Sequence, residues 1–123
     1  MKRILVVDDA RVIRHMIRQM LETCGFAVDE AADGVQCVAH CREHGPPDGI
    51  ILDINMPEMD GMTCLQTLRG DPAFRECRIV MCTTQVEMSH IVAAMSAGAN
   101  EYVMKPFTEE ILRDKLRIVG LLA

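Results

Sequence analysis

Aromatic side chains are scarce in this chain of 123 residues, which has no tryptophan, one tyrosine and three phenylalanines. Proteins that hold single-stranded nucleic acid stack the bases on several exposed rings, and this chain lacks the rings to do so. Positive charge is not in excess either, because 18 acidic residues outnumber 13 basic ones and give a net charge of −5. A phosphate backbone is bound by basic surfaces. The composition therefore predicts no nucleic-acid partner.

Long apolar runs are also missing. No stretch approaches the roughly 20 residues of a membrane span, and the first residues lack the apolar core of a signal peptide. We therefore expect a cytoplasmic protein without a membrane partner. Half of the residues are hydrophobic and a quarter are charged, as is typical of a globular protein with a core. The length is that of one domain, which we expect to span residues 1–123.

None of the six cysteines belongs to a C-x-x-C pair, and they lie in or beside apolar segments. This pattern indicates free, mostly buried thiols rather than disulfides. Cys37, His40, Cys41 and His44 share one helical face by their spacing. Four tetrahedral ligands from one short helix are geometrically awkward, so we interpret this segment as an ordinary half-buried helix rather than a metal site.

Apolar runs alternate five times with segments of helical periodicity. The predicted strands are 3–7, 26–31, 50–52, 78–82 and 102–104, and the predicted helices are 10–23, 34–43, 62–69, 87–97 and a last one capped by Thr108. Nearly continuous apolar strands indicate a parallel sheet covered by helices on both faces. Five such units predict an α/β fold of the flavodoxin-like type, a doubly wound (βα)5 sheet with strand order 2-1-3-4-5.

Polar side chains follow the predicted strands at the edge where such folds place their ligands, past the carboxyl ends of strands 1 and 3. Asp8 and Asp9 follow strand 1, and Asp53 follows strand 3. Thr83 follows strand 4, and Lys105 follows strand 5. Because the carboxyl ends of parallel strands meet at one edge of the sheet, we expect these five side chains to lie together.

The charges of this group indicate its chemistry. Three carboxylates with one lysine leave a surplus of negative charge, and an all-oxygen site of this kind suits Mg²⁺. A carboxylate beside cations is a suitable nucleophile toward phosphorus, because the cations offset the repulsion between two anions. Asp53 comes from the central strand, and we predict that it is this nucleophile. Asp8 and Asp9 are then metal ligands, directly or through water, and Lys105 is a point contact for a phosphoryl oxygen.

Four motifs over nearly the whole chain resemble the receiver domain of two-component response regulators. In chain order they are Val7-Asp8-Asp9, Asp53-Ile54-Asn55-Met56-Pro57 with Met59-Asp60-Gly61, Cys82-Thr83-Thr84, and Lys105-Pro106-Phe107. The stretches Ile91-Val92-Ala93-Ala94 and Ala97-Gly98-Ala99, with Tyr102 and Lys105-Pro106-Phe107-Thr108, are similar to the CheY-like, stand-alone type that works in chemotaxis.

The resemblance implies a signalling switch and not an enzyme beyond its own phosphorylation and dephosphorylation. Asp53 would accept a phosphoryl group from a histidine kinase or a histidine-phosphotransfer protein in a Mg²⁺-dependent step. The backbone carbonyl of Asn55 would join the metal ligands, and Thr83 would bond the phosphoryl group beside Lys105. Tyr102 would turn inward as the switch aromatic. The Lys105–Pro106 bond would be cis, and an output protein would dock on the face of helix 4, strand 5 and helix 5.

Three alternatives remain open from the sequence. The domain could carry phosphate between other proteins in a phosphorelay, or it could be an interaction scaffold that is not phosphorylated. A small aspartate-nucleophile phosphatase is disfavoured, because its acid/base Asp is replaced here by Asn55, which cannot shuttle a proton.

Several positions depart from the motor-binding members of the family or have two readings. Glu87 and Met88 stand where those members have basic residues, which puts flagellar-motor docking in doubt. Gln85 replaces an acidic residue, so the dephosphorylation rate does not follow by analogy. Met88 and Met95 could form an apolar patch for another partner, or they could pack in the core or be exposed incidentally. Arg11, Arg14 and Arg18 on helix 1 form either a solvated face or a docking surface for the phosphodonor.

Overall fold

The computed structural model describes residues 1–54, 56, 59–84 and 88–123. Strands and helices alternate as predicted. The strands are β1 (Arg3–Val7), β2 (Ala27–Ala31), β3 (Gly49–Asp53), β4 (Arg78–Thr83) and β5 (Glu101–Met104). The helices are α1 (Arg11–Thr23), α2 (Gly34–His44), α3 (Gly61–Arg69), α4 (Met88–Ser96) and α5 (Glu109–Ile118). A short 3-10 helix, Pro72–Phe74, was not predicted; Asp71 caps it by accepting a hydrogen bond from the Ala73 amide.

The five strands form one parallel sheet in the order β2-β1-β3-β4-β5. This arrangement confirms the predicted flavodoxin-like fold. The register pairs Val7 with Leu52, Asp53 with Cys82, and Thr83 with Met104, so the carboxyl ends of four strands lie side by side. The strand order reverses between β1 and β3, where ligands of such folds bind.

Two apolar cores cover the two faces of the sheet, because successive residues of a strand point to opposite sides. Leu5, Leu52 and Met81 belong to the core beneath α2, α3 and α4. Their chain neighbours Val6, Ile51 and Val80 belong to the core beneath α1 and α5. Each large side chain buried in this way contributes about 1.5–3 kcal/mol relative to an exposed one. The cores fix the sheet, and the sheet fixes the edge that carries the polar residues.

The cysteine prediction is confirmed: all six thiols are free, five of them buried and Cys24 half-buried. Helix α2 is half-buried, as predicted, with Cys37 and Cys41 in the core. The rings of His40 and His44 stack at the edge of the helix with centroids 4.3 Å apart. The two thiols therefore lie in the core, whereas the two imidazoles lie outside it, although the four residues share one helical face by their spacing.

Side chains close the ends of the helices and tie the loops between them. The hydroxyl of Thr108 accepts a hydrogen bond from the Ile111 amide, which confirms the predicted cap of α5. Arg69, the last residue of α3, donates hydrogen bonds to the carbonyl oxygens of Phe74, Cys77 and Gly98. One guanidinium therefore holds the 3-10 helix, the start of β4 and the end of α4 together. No helix in the described part of the chain has the length and apolar character needed to cross a membrane.

Candidate functional site

Three carboxylates meet at the carboxyl edge of the sheet. Asp8, Asp9 and Asp53 each present an oxygen, and these oxygens lie within 4.8 Å of one another. Among the described residues no other group of three His, Cys, Asp or Glu side chains converges so closely. Asp8 and Asp53 are 1% and 5% exposed, whereas Asp9 is exposed. The structure thus brings together the three acids that the sequence placed at the ends of β1 and β3.

The turn that follows β1 holds Asp8 in place through its backbone and its side chain. Its amide donates to the carbonyl of Ala31 at the end of β2 over 3.2 Å. Its Oδ1 accepts a hydrogen bond of 2.9 Å from the Ala10 amide. Its other carboxylate oxygen, Oδ2, faces the centre of the site. Oδ1 therefore holds the turn, and Oδ2 contacts the cationic group of the site.

Lys105 supplies the ammonium group of the site. Its Nζ lies 2.6 Å from Asp8 Oδ2 and 3.4 Å from Asp53 Oδ1. Burial alone would lower the pKa of Lys105, but the hydrogen bond to Asp8 and the charge of Asp53 outweigh it, so this pKa is raised. The group is therefore an ammonium at neutral pH. The Lys105–Pro106 bond is cis, as the family resemblance implied.

The charges of the site do not balance. Three carboxylates and one ammonium give a formal charge of −3 + 1 = −2. At about 4 Å, two unit charges repel by roughly 4 kcal/mol at an effective dielectric constant near 20. Oxygen donors of high charge density are the ligands that Mg²⁺ prefers. The side chains of Asp8, Asp9 and Asp53 therefore fit a magnesium ion, while Asn55, the predicted carbonyl ligand, lies outside the described residues.

Thr83 and Tyr102 lie on the side of the sheet that α2, α3 and α4 cover. Thr83 ends β4 and is 1% exposed. Two residues earlier, Met81 pairs in register with Tyr102, and both contact the core beneath α2, α3 and α4. The Tyr102 ring is partly exposed and lies beneath Lys115, whose Nζ is 4.9 Å from the ring centroid. The hydroxyl of Thr83 and the aromatic ring thus share one side of β4 and β5.

The arginines of α1 are not a uniformly solvated face. Arg14 and Arg18 both contact Glu30 of β2, at 2.8 Å and 2.7 Å, and only Arg11 extends into solvent. The hydrogen bond from Arg18, together with that from Arg14, lowers the pKa of Glu30. The solvated-face interpretation is therefore wrong for Arg14, whereas Arg18 remains 36% exposed. The pairing could not be predicted from the sequence, because it depends on how α1 packs against β2.

Cys82, the register neighbour of Asp53, is a further residue of the site that the sequence did not single out. Its thiol is buried directly under the charged groups, and burial raises its pKa to about 12. It is a neutral thiol at physiological pH. Its place at the end of an apolar strand was the signal available in the sequence. Its side chain belongs to the apolar core beneath α1 and α5, next to Asp53 and Lys105.

An apolar groove of about 350 Å³ borders the site. Ile13, Met16 and Met20 of α1 form one wall, and Pro106 and Phe107 form the other. Lys105, which pairs with Asp8 and Asp53, also lines the groove. A second apolar surface, the α4 patch, consists of Met88, Val92 and Met95, which are 69%, 56% and 39% exposed. Met88 and Met95 are therefore surface residues rather than core residues. Glu87 and Gln85 lie outside the described residues.

Comparison with known proteins places this geometry in a family context. Residues 4–117 match the family described as the response regulator receiver domain. The chain is 36% identical over 118 residues to the chemotaxis protein CheY1 of Helicobacter pylori, with 95% of each chain covered. It is 43% identical over 106 residues to the chemotaxis protein CheY of Bacillus subtilis, covering 85% of this chain and 86% of that protein.

Solved structures agree with the sequence comparison. The chemotaxis protein CheY4 of Vibrio cholerae superposes with a TM-score of 0.90 at 33% identity, covering 97% of this chain and 98% of that one. The receiver domain of a sensor histidine kinase from Pseudomonas aeruginosa superposes with a TM-score of 0.84 at 31% identity and the same coverage. That structure is described with a magnesium ion coordinated in its active site cleft.

Gly61, the first residue of α3, packs closely against the backbone at the end of β3. A Cβ on Gly61 would clash with the Asp53 carbonyl oxygen and lie 2.7 Å from Ile54 Cα. We expect Gly61→Ala to displace the Asp53 backbone and to lower the free energy of unfolding by about 1–3 kcal/mol, as overpacking does. Gly70→Ala is the matched control, because Gly70 ends the same helix at φ −72°. Urea denaturation measures both, and equal stabilities of the two variants would contradict this account.

Proposed function

The chain belongs to the response regulator receiver family, and we propose that it works as a phosphorylation-activated switch in chemotaxis signalling. Asp53 accepts a phosphoryl group from a histidine kinase or a histidine-phosphotransfer protein. The domain, residues 1–123, then changes its affinity for an output protein in the cytoplasm. Receiver domains of this type are signalling switches rather than classical enzymes. The observation that supports the proposal most strongly is the cluster of Asp8, Asp9 and Asp53 around the Lys105 ammonium.

The transfer to Asp53 follows from the charges of the site. A carboxylate oxygen of Asp53 attacks the phosphorus, and the bond from phosphorus to the donor imidazole nitrogen breaks. The imidazole leaves with the electron pair and takes up a proton. Asp8, Asp9 and Asp53, with the Asn55 carbonyl that the family resemblance implies, would hold a magnesium ion, which would offset the negative charge of the site. Lys105, 3.4 Å from Asp53 Oδ1, moves its hydrogen bond from Asp8 to a phosphoryl oxygen.

We predict that the purified wild-type chain, incubated with phosphoramidate and Mg²⁺, gains the mass of one phosphoryl group in an acid-stable and base-labile form. Asp53→Asn loses the nucleophilic carboxylate and should gain none. Asp114→Asn is the control, because Asp114 is an exposed carboxylate of α5 that pairs with Arg117. Intact-protein mass spectrometry measures all three. Labelling of Asp53→Asn at the wild-type rate would remove Asp53 from the role of acceptor.

The proposed conformational switch involves Thr83 and Tyr102, on the side of β4 and β5 that α4 covers. A phosphoryl group on Asp53 offers an oxygen to the Thr83 hydroxyl, and a charge-assisted hydrogen bond of this type contributes about 1.5–3 kcal/mol. Movement of Thr83 frees space for Tyr102, which packs beside the register neighbour Met81. A complete shift from 1:99 to 99:1 needs about 5.5 kcal/mol. Phosphorylation therefore biases the domain, and binding of the output protein at α4, β5 and α5 completes the change.

This coupling predicts separate effects on phosphorylation and on switching. With Mg²⁺ and BeF₃⁻, a phosphoryl mimic, the wild-type chain should show changed amide chemical shifts in α4 and at Tyr102. Thr83→Ala should still bind the mimic but lose most of the changes in α4, because the hydroxyl that carries the signal is gone. Thr67→Ala, an exposed threonine of α3, should behave as wild type. Full α4 shifts in Thr83→Ala would show that the signal takes another route.

We propose that the phosphodonor docks a helix in the groove between α1 and the Pro106–Phe107 segment. The groove is mostly apolar, Lys105 is one of its lining residues, and Arg11 is exposed on the same helix. An amphipathic helix that carries its histidine at the groove end would bring the phosphorus to Asp53. The apolar wall would hold the donor, and the acidic site would accept the phosphoryl group.

A charge in the groove should therefore block a protein donor while it spares a small one. Met16→Glu should slow phosphotransfer at least tenfold from autophosphorylated histidine kinases of the organism that encodes this chain. The same variant should react with phosphoramidate at the wild-type rate. Val12→Glu adds the same charge to α1 outside the groove, at a residue that is 71% exposed, and serves as control. Equal slowing of both variants with the protein donor would argue against docking in the groove.

A further inference from the structure

A line of charged contacts runs from the edge strand β2 to the acidic site. Arg18 Nη1 donates to Glu30 Oε2 over 2.7 Å, and Arg14 Nε donates to Glu30 Oε1 over 2.8 Å. Arg14 Nη1 then donates to the backbone carbonyl of Asp8 over 2.7 Å. Each oxygen of Glu30 holds one arginine, and one guanidinium joins the glutamate to the turn that carries the carboxylates.

The Arg14 contacts differ from an ordinary ion pair at the surface. The side chains of Arg14 and Glu30 are 16% and 23% exposed. By contrast, Arg18 and Glu22, one turn apart on α1, are 36% and 50% exposed and 3.5 Å apart. Exposed pairs of the second kind contribute little to stability. The pair of Arg14 and Glu30 instead fixes the position of the guanidinium, because its planar group has a rigid fork of donors and Glu30 orients it.

The turn beside the site depends on this contact. In the described part of the chain, the Asp9 carboxylate makes no hydrogen bond, so the backbone of the turn is what sets the position of its Cα relative to Asp8. The backbone of the turn is held by the Asp8 amide on Ala31, by the Ala10 amide on Asp8 Oδ1 and by Arg14 on the Asp8 carbonyl. Arg14 is the one among these anchors whose side chain comes from outside the turn.

We propose that Arg14, oriented by Glu30, is a positioning residue for the divalent cation site. It holds the Asp8 carbonyl and thereby sets the spacing between the carboxylates of Asp8 and Asp9. This inference rests on the proposed function, because it concerns the cation site that phosphorylation of Asp53 requires. It gives α1 a second role beside docking, since the helix that lines the groove also shapes the turn with the ligands.

Coulomb forces and positioning predict opposite results at Arg14. A positive charge near a cation site disfavours the cation, so removal of the charge alone would tighten Mg²⁺ binding. Loss of a residue that orients metal ligands weakens binding, by about 10- to 100-fold for outer partners of well-ordered sites. The sign of the change therefore separates the two effects.

The experiment measures the dissociation constant of Mg²⁺ by isothermal titration calorimetry, with no phosphodonor present. We expect Arg14→Gln to bind Mg²⁺ about tenfold more weakly than wild type. Arg14→Lys keeps the charge but lacks the fork, and it should also bind more weakly. Arg11→Gln removes a charge from the same helix without touching the turn, and it should bind as tightly as wild type or more tightly. The amide shift of Asp9, whose peptide group contains the Asp8 carbonyl, should change in the metal-free Arg14 variants but not in Arg11→Gln.

Each outcome has one reading. The positioning role is overturned if both Arg14 variants bind Mg²⁺ as tightly as wild type or more tightly and the Asp9 amide shift is unchanged. The proposed function then remains intact. Failure of wild type to bind Mg²⁺ overturns the proposed function and this inference together. Should Arg14→Gln fail to fold, Arg14→Lys decides the question, because its retained charge removes the Coulomb effect. Circular dichroism at the working temperature establishes which variants are folded.

Discussion

The structure depends on one electrostatic constraint: three carboxylates and one ammonium meet at an edge of the sheet, and two of the carboxylates are buried there. Asp8 and Asp53 are almost fully buried, and Lys105 forms an ion pair with each of them. Buried charges of like sign are stable only beside compensating cations. The unmodified domain therefore has a deficit of positive charge. The same deficit favours a divalent cation and, with it, an incoming phosphoryl group.

Much of this arrangement could be predicted from the sequence, because a parallel sheet converts chain order into spatial order. Apolar runs give the strands, and the residues that follow them must meet at one edge. This rule located Asp8, Asp53 and Lys105 although they are far apart in the chain. It also predicted the free cysteines, since thiols in apolar segments pack as small hydrophobic groups. The family motifs added the cis bond before Pro106, which periodicity does not reveal.

Contacts made between elements could not be predicted in this way. Glu30 meets Arg14 and Arg18 only because α1 lies across β2, and nothing local to either segment records that packing. Arg69 reaches three carbonyl groups from separate loops for the same kind of reason. Helical periodicity indicates which face is apolar, but long side chains at the border of that face choose partners in three dimensions. For Arg14, at such a border position, the solvated-face interpretation was wrong.

Removal of the metal tests the central claim most directly. Phosphorylation of the wild-type chain by phosphoramidate is followed by mass spectrometry over a series of free Mg²⁺ concentrations, down to excess chelator. If the uncompensated charge of the site governs its chemistry, the rate should rise with Mg²⁺, saturate as expected for a single site, and fall to background with chelator. A rate that is the same with chelator as with saturating Mg²⁺ would contradict the account.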